Sequence, residues 1–366
     1  MKLIKYASFV LALAVIVGVL SFPVSAGSNG NSKKRYIVEE ATLLDKIVFR
    51  LQGCRIVHDL DDATGIECPQ NVAPRNARED RVFLIVDLEA ARQIGAEKVW
   101  SEYNYTGKNV NVAVLDTGVD TAHDELKTSV VGGKSFVAYT PYYIDDHGHG
   151  THVAGIITAD GINAAARGVA PDAGIWAAKV CDSQGRCYES DIAKAIEYVV
   201  YNKPARIISL SLGGGGSAGK NCDRDYLARK VNWAAKNGIL VVAAAGNTRG
   251  IVSSPACASQ AIAVGAVDKS DKLAWFSGTG NSLDLLAPGV NIYSTYLNNA
   301  YATLSGTSMA APHVSAAAAL LLEKNSSLSN TDIKDALYAS AVDLGYSKVE
   351  QGSGRADAFG AVSRLM

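Results

Sequence analysis

Four short stretches carry residue types that could break a bond together. Ser308 follows Gly306 and Thr307 and precedes an Ala-rich, almost uncharged helical run, Met309 to Glu323. A hydroxyl at a helix start faces unpaired N–H groups and the positive end of the dipole, which suits a nucleophile whose product is an oxyanion. Pro312 is expected in the first turn, where a backbone donor has no partner anyway. His147, His149 and His152 are half of the six histidines and stand at the start of a second helical run, Gly150 to Thr158. Asp116 follows the strand-like run Asn109 to Leu115 and precedes Thr117-Gly118, a place where a shielded carboxylate can orient a histidine. Asn247 follows the apolar run Ile239 to Ala245 and Gly246, and its amide can donate to a developing oxyanion.

Taken singly, these are a helix cap, a packed histidine and two turn residues. Together they supply a nucleophile, a base, an orienting acid and an oxyanion donor. One rival is a metal centre, because His-x-His-x-x-His resembles the metal-binding run of the metallo-β-lactamase fold. Thr151 stands there where an Asp would be, however, and no later histidine is placed to complete the site. A second rival, an inactive binding module, needs one of the four groups to be missing, and none is.

The elements that must position these groups alternate from about Ile94 onward. Apolar runs at Val110–Leu115, Ile175–Val180, Arg206–Leu212, Ile239–Ala245 and Ala261–Val267 read as strands. Between and after them, Gly150–Thr158, Ser190–Tyr201, Asp225–Asn237, Met309–Glu323 and Asn330–Ser340 read as helices. That alternation predicts an α/β fold with a mostly parallel sheet and helices on both faces, with function at the carboxyl ends of the strands.

Residues 27–90 read as a separate small α+β domain. A strand is expected at Arg35–Val38, and a helix over Thr42–Leu51 with Leu44, Ile47, Val48 and Leu51 on one side and Gly53 as its stop. Further strands are expected at Cys54–His58 and Arg81–Val86, with a turn at Asp61–Gly65 that could bring Cys54 and Cys68 together. Residues 1–26 read as an export signal: Lys2 and Lys5, an apolar run from Ala7 to about Phe22, and small residues at Val24-Ser25-Ala26. Export favours disulfides for the six cysteines, since no Cys-x-x-Cys spacing is present. With 366 residues, 48% hydrophobic, and a net charge of -1, neither nucleic acid nor an anionic membrane is implied as a partner.

Asp116-Thr117-Gly118, His149-Gly150-Thr151-His152-Val153-Ala154-Gly155, Ala244-Ala245-Gly246-Asn247 and Gly306-Thr307-Ser308-Met309-Ala310-Ala311-Pro312-His313 closely resemble the motifs of the subtilisin-like serine peptidases, in the same order Asp, His, Ser. The likeness runs from about Ile94 to the C-terminus and includes Gly168-Val169-Ala170-Pro171 and Leu286-Ala287-Pro288-Gly289-Val290. It implies a secreted, extracellular serine endopeptidase acting on proteins or peptides through an acyl-enzyme. Ser308 would be the nucleophile, His149 the base, Asp116 the orienting acid and Asn247 an oxyanion donor. His147 would then be an exposed loop residue and His152 a packed one. Ser211, Leu212 and Gly213, with the loop Cys181–Tyr188, would bind substrate main chain. Ala244, Ala245 and Gly246 would line the main specificity pocket, with Ser253 near its base. No carboxylate is evident there, so broad specificity with an apolar or aromatic preference is expected.

The resemblance further implies structural calcium, with Glu125 and Asp160 as ligands, although Ile162 stands where a ligating Asn is common and Glu125 where an Asp is. It divides the chain into a signal (1–26), an inhibitory propeptide (27–90) and a peptidase domain (91–366). Self-cleavage is expected between Ile85 and Gln93. The mature enzyme is expected to be a monomer, free of the membrane after signal removal.

Overall fold

The computed structural model describes residues 33–59, 63–79, 89–217 and 221–365. The export segment, the strand expected at Arg81–Val86 and the turn residues Asp61 and Asp62 lie outside these residues. The chain divides into two compact units between Ile85 and Val86.

In the first unit, β1 (Lys33–Glu39), β2 (Arg55–Asp59), β3 (Ala63–Pro69) and β4 (Ala77–Glu79) form an antiparallel sheet in the order β2-β3-β1-β4. The helix Leu43–Leu51 begins at a reciprocal cap between Thr42 and Asp45. Tyr36, Val38, Phe49 and Ile66 pack around the Cys54–Cys68 disulfide. A core this small leans on its crosslink. The expected helix face is corrected: Phe49 is the buried residue, while Leu44, Ile47 and Leu51 are exposed. The ring is the largest apolar side chain of the helix, and burying it turns residues roughly 140–160° away around the axis toward solvent.

In the second unit, β5 (Asn111–Asp116), β6 (Val130–Ser135), β7 (Gly174–Lys179), β8 (Ile207–Leu210), β10 (Leu240–Ala244), β12 (Ile262–Val267) and β13 (Leu285–Pro288) form one parallel sheet, ordered β13-β12-β10-β8-β5-β7-β6. Gly214–Ser217 (β9) and Val252–Ser254 (β11) pair antiparallel, as do Ile292–Tyr296 (β14) and Ala300–Leu304 (β15). Val112 and Val114 join one apolar core and Ala113 and Leu115 another, so the sheet is buried on both faces. That explains why its central strands read as unbroken apolar runs. The edge strands β6 and β13 escaped the pattern. VVGGKS carries two glycines, and LLAP is four residues long and ends in proline.

Helices His149–Thr158 and Thr307–Lys324 pack on the first face, Glu189–Asn202 and Tyr226–Lys236 on the second. The Ser308 helix is buried from Met309 through Leu322, as an apolar, Ala-rich helix must be. It begins earlier than expected, at Thr307. Pro312 is therefore its sixth residue, inside the helix rather than in its first turn, and withholds the amide that would bond the Ser308 carbonyl. Asp116 ends β5, Ser211 follows β8 and Gly246-Asn247 follow β10, all at the carboxyl edge of the sheet.

The surroundings of Glu125 do not fit a cation. This fully buried carboxylate accepts the backbone N–H groups of Gly161, Ile162 and Asn163, at 2.6, 3.0 and 2.5 Å, and the Tyr301 hydroxyl at 2.8 Å. A cation needs acceptor oxygens converging on it, whereas the loop after Asp160 turns donors inward. The Asp160 N–H donates to the Glu125 carbonyl at 3.1 Å, while the Asp160 carboxylate is engaged elsewhere, accepting from Thr128 Oγ1 at 2.8 Å. The negative charge needed to organise this loop thus comes from the side chain itself. Glu125→Gln sets an amide NH2 against these donors and should cost about 2–3 kcal/mol. Differential scanning calorimetry should show this as a fall of roughly 4–12 °C in the midpoint. Adding calcium or a chelator should not shift the wild-type midpoint through this loop.

Candidate active site

His149 opens its helix, and its Nδ1 lies 2.8 and 3.0 Å from the two carboxylate oxygens of Asp116. A carboxylate only accepts, so Nδ1 carries the proton and Nε2 is left as the basic atom. Asp116 is 2% exposed and also receives the Thr117 N–H. Burial disfavours a charged imidazole. The Asp116 charge and its hydrogen bond, helped by Asp145, outweigh that and raise the His149 pKa above its ordinary value.

A carboxylate to which the sequence assigned no role fixes this pair. Asp145 is buried and accepts five hydrogen bonds: from the N–H groups of His147, Gly148 and Thr151 and from the hydroxyls of Thr117 and Thr151. Thr117 Oγ1 in turn accepts from Gly150 N at 2.9 Å. The end of β5 is thereby knotted to the start of the His149 helix. The available signal was an acidic residue just ahead of a helix, where free N–H groups need acceptors.

Ser308 is the second residue of its helix, so its N–H has no intrahelical acceptor. Asn247 Oδ1 accepts from Thr307 N and Thr307 Oγ1 at 3.0 and 3.1 Å, and Gly246 N donates to Thr307 Oγ1 at 3.0 Å. These contacts define the amide orientation and leave Nδ2 as a donor beside the Ser308 N–H. Thr307 is thus a second positioning residue without a role in the sequence reading. The Ser308 hydroxyl donates to the Ser211 carbonyl at 3.1 Å, and Ser211 Oγ donates to the Ser308 carbonyl at 2.7 Å.

Asp116, His149, Asn247 and Ser308 line one cleft of about 530 Å³ with Ser211, Leu212, Gly213, Ala244, Gly246 and Ser253. Ala245 does not line it. Side chains alternate along a strand, and Ala245 points into the second core while Ala244 faces the cleft. Gly246 has φ 96°, and a Cβ there would lie 2.1 Å from Ser253 Oγ. Asp116 is the only carboxylate among the described lining residues. Across the cleft, Gln184, Gly185 and Cys187 belong to the loop closed by the Cys181–Cys187 disulfide.

The three clustered histidines do not converge on a metal. His147, expected to be an exposed loop residue, is half-buried and lines the cleft beside His149, with ring centroids 6.4 Å apart, near Gly185. Buried His152 donates Nε2–H to the carbonyls of Ile292 and Ala302, and burial pushes its pKa down to about 4. His313, also buried, lies at about 4 for the same reason. Among the described residues no group of three or more His, Cys, Asp or Glu is placed to hold a metal.

The sequence profile of the subtilase family, a peptidase family, matches residues 107–360. Subtilisin DY of Bacillus licheniformis is 43% identical over 257 residues, covering 69% of this chain and 90% of that one. Subtilisin Savinase of Lederbergia lenta is 44% identical over 257 residues, covering 70% and 91%. A crystal structure of a cold-adapted subtilisin-like serine proteinase matches with a TM-score of 0.61 and 33% identity, covering 69% of this chain and 89% of that one.

Two measurements follow from the geometry. A raised His149 pKa puts the acid limb of the kcat/KM–pH profile above the ordinary imidazole value of about 6.5, because the base must be neutral. Asp116→Asn removes the raising influence and leaves burial, so the limb should move to lower pH as kcat falls about 10⁴-fold. Asn247→Leu should lower kcat about 10²–10³-fold with KM nearly unchanged, the range general for one oxyanion donor.

Proposed function

The chain belongs to the subtilase family and is a serine endopeptidase, and from that premise we propose that it is exported, matures by cutting off its own residues 27–90, and then cleaves extended peptides with broad specificity. The observation that carries the reading is the joint placement of Asp116, His149, Asn247 and Ser308 on one cleft.

In the proposed cycle an extended peptide lies between the Gly185–Cys187 segment and Ser211–Gly213, pairing through main-chain groups. Its side chain before the scissile bond enters the space bounded by Ala244, Gly246 and Ser253. That lining holds no carboxylate and favours apolar or aromatic groups. Ser308 Oγ attacks the carbonyl carbon while its proton passes to His149 Nε2, and Asp116 stabilises the imidazolium. The oxyanion is received by Asn247 Nδ2–H and Ser308 N–H. His149 then protonates the departing amine as the C–N bond breaks, leaving an acyl-serine. Water, deprotonated by the same nitrogen, attacks the ester and releases the acid with Ser308 restored.

The proposal that residues 27–90 are a propeptide rests on the family's habit, on the position of this α+β unit ahead of the peptidase unit, and on folding physics. A parallel sheet built from distant segments folds slowly, and a protease gains from a high unfolding barrier. Of the range expected for self-cleavage, Glu89–Gln93 is helical and is not presented as an extended strand. That favours a bond ahead of the helix within the proposed range Ile85–Gln93.

N-terminal mass spectrometry of the purified chain should show a new terminus within that window, and the Ser308→Ala protein should stay uncut. A serine-directed phosphonate should label Ser308 and abolish hydrolysis. Normal maturation of Ser308→Ala without another protease would overturn self-cleavage, and chelation that abolished activity with Ser308 unlabelled would overturn the serine mechanism.

A further inference from the structure

Pro312 creates a vacancy at the residue that matters most. A helical amide bonds the carbonyl four residues back, and for position 312 that carbonyl belongs to Ser308. Proline has no N–H, so the carbonyl of Ser308 must find its partner outside the helix. It finds Ser211, whose hydroxyl donates to it at 2.7 Å from a site only 4% exposed. Two residues earlier on the same face of this chain segment, Ser209 Oγ accepts from Ser315 Oγ at 3.0 Å, so the helix is stitched to β8 and its exit at two points. An ordinary helix sets its first turn by its own hydrogen bonds. Here the turn carrying Ser308 is set at Thr307 by Asn247 and at Ser308 by Ser211.

We propose that Ser211 is a positioning residue of the reaction: its hydroxyl fills the acceptor that Pro312 leaves open and registers Ser308 against the edge on which substrate adds. The inference rests on Ser308 being the nucleophile. Substrate would meet the main chain of Ser211–Gly213, so deleting the hydroxyl leaves the binding edge in place and disturbs the approach of Ser308 Oγ to the carbonyl. The hydroxyl therefore acts on kcat and on the intrinsic reactivity of Ser308, with little effect on KM.

The test is a double-mutant cycle with active sites titrated, so that only folded enzyme is counted. Ser211→Ala should lower kcat about tenfold, as expected for one buried acceptor left unpaired. KM should stay within about twofold, and phosphonylation of Ser308 should slow in step with kcat. Ser211→Thr, which keeps the hydroxyl, should recover activity to within about threefold of wild type. In Pro312→Ala the new amide can bond the Ser308 carbonyl directly. Ser211→Ala should then cost less than about threefold in that background. An equal cost in both backgrounds, a loss confined to KM, or no rescue by threonine would overturn the proposal. Failure of the nucleophile assignment would appear elsewhere, as hydrolysis retained by Ser308→Ala.

Discussion

The cleft hangs on one buried carboxylate. Asp145 gathers three backbone N–H groups and two hydroxyls, and through Thr117 it binds the end of β5 to the start of the His149 helix. Strand and helix are each stiff, so joining their ends fixes Asp116 against His149 more tightly than the 2.8 Å bond between them could alone. Buried Lys179 reinforces the joint from the neighbouring strand, donating to the Thr117 carbonyl and to Asp146. A charge inside a protein is tolerable only when fully partnered, and here the partners are the backbone that has to be held.

The Ser308 helix faces the opposite problem. Its apolar length belongs in the core, yet its first turn must reach a water-accessible cleft. Small residues let the helix pack closely on the sheet beside the His149 helix, and Thr307 and Ser308 meet polar partners where it emerges. The proline in its second turn is compatible with burial because its missing bond is made by a neighbouring segment.

Much of this could be read from the chain. Asp116, His149, Asn247 and Ser308 stood out because each ends or begins an element with strong apolar periodicity, and such element ends converge in a parallel sheet. What escaped depends on partners distant in sequence. The resemblance named Glu125 as a ligand, but linear order does not say whether the loop from Asp160 to Asn163 turns carbonyls or amides toward it. Thr307 is an ordinary polar residue until the Asn247 side chain meets it, and Asp145, whose other donors are local, joins helix to strand only through distant Thr117. Ala245 could have been placed correctly from strand alternation with Ala244. In the helix Leu43–Leu51 the spacing of leucines and isoleucine was read as the inner face, but the single phenylalanine took that place.

The disulfide that closes the loop from Cys181 to Cys187 holds its Cα ends 4.0 Å apart. Six residue steps of fully extended chain would reach roughly 20 Å. Cleavage by an endopeptidase needs a stretch of the extended kind, so this rim of the cleft cannot be drawn into a neighbouring molecule's cleft as substrate. If a bond within it were broken, the two new ends would remain joined through sulfur. The crosslink therefore gives an enzyme that works among copies of itself a cleft wall that resists self-digestion.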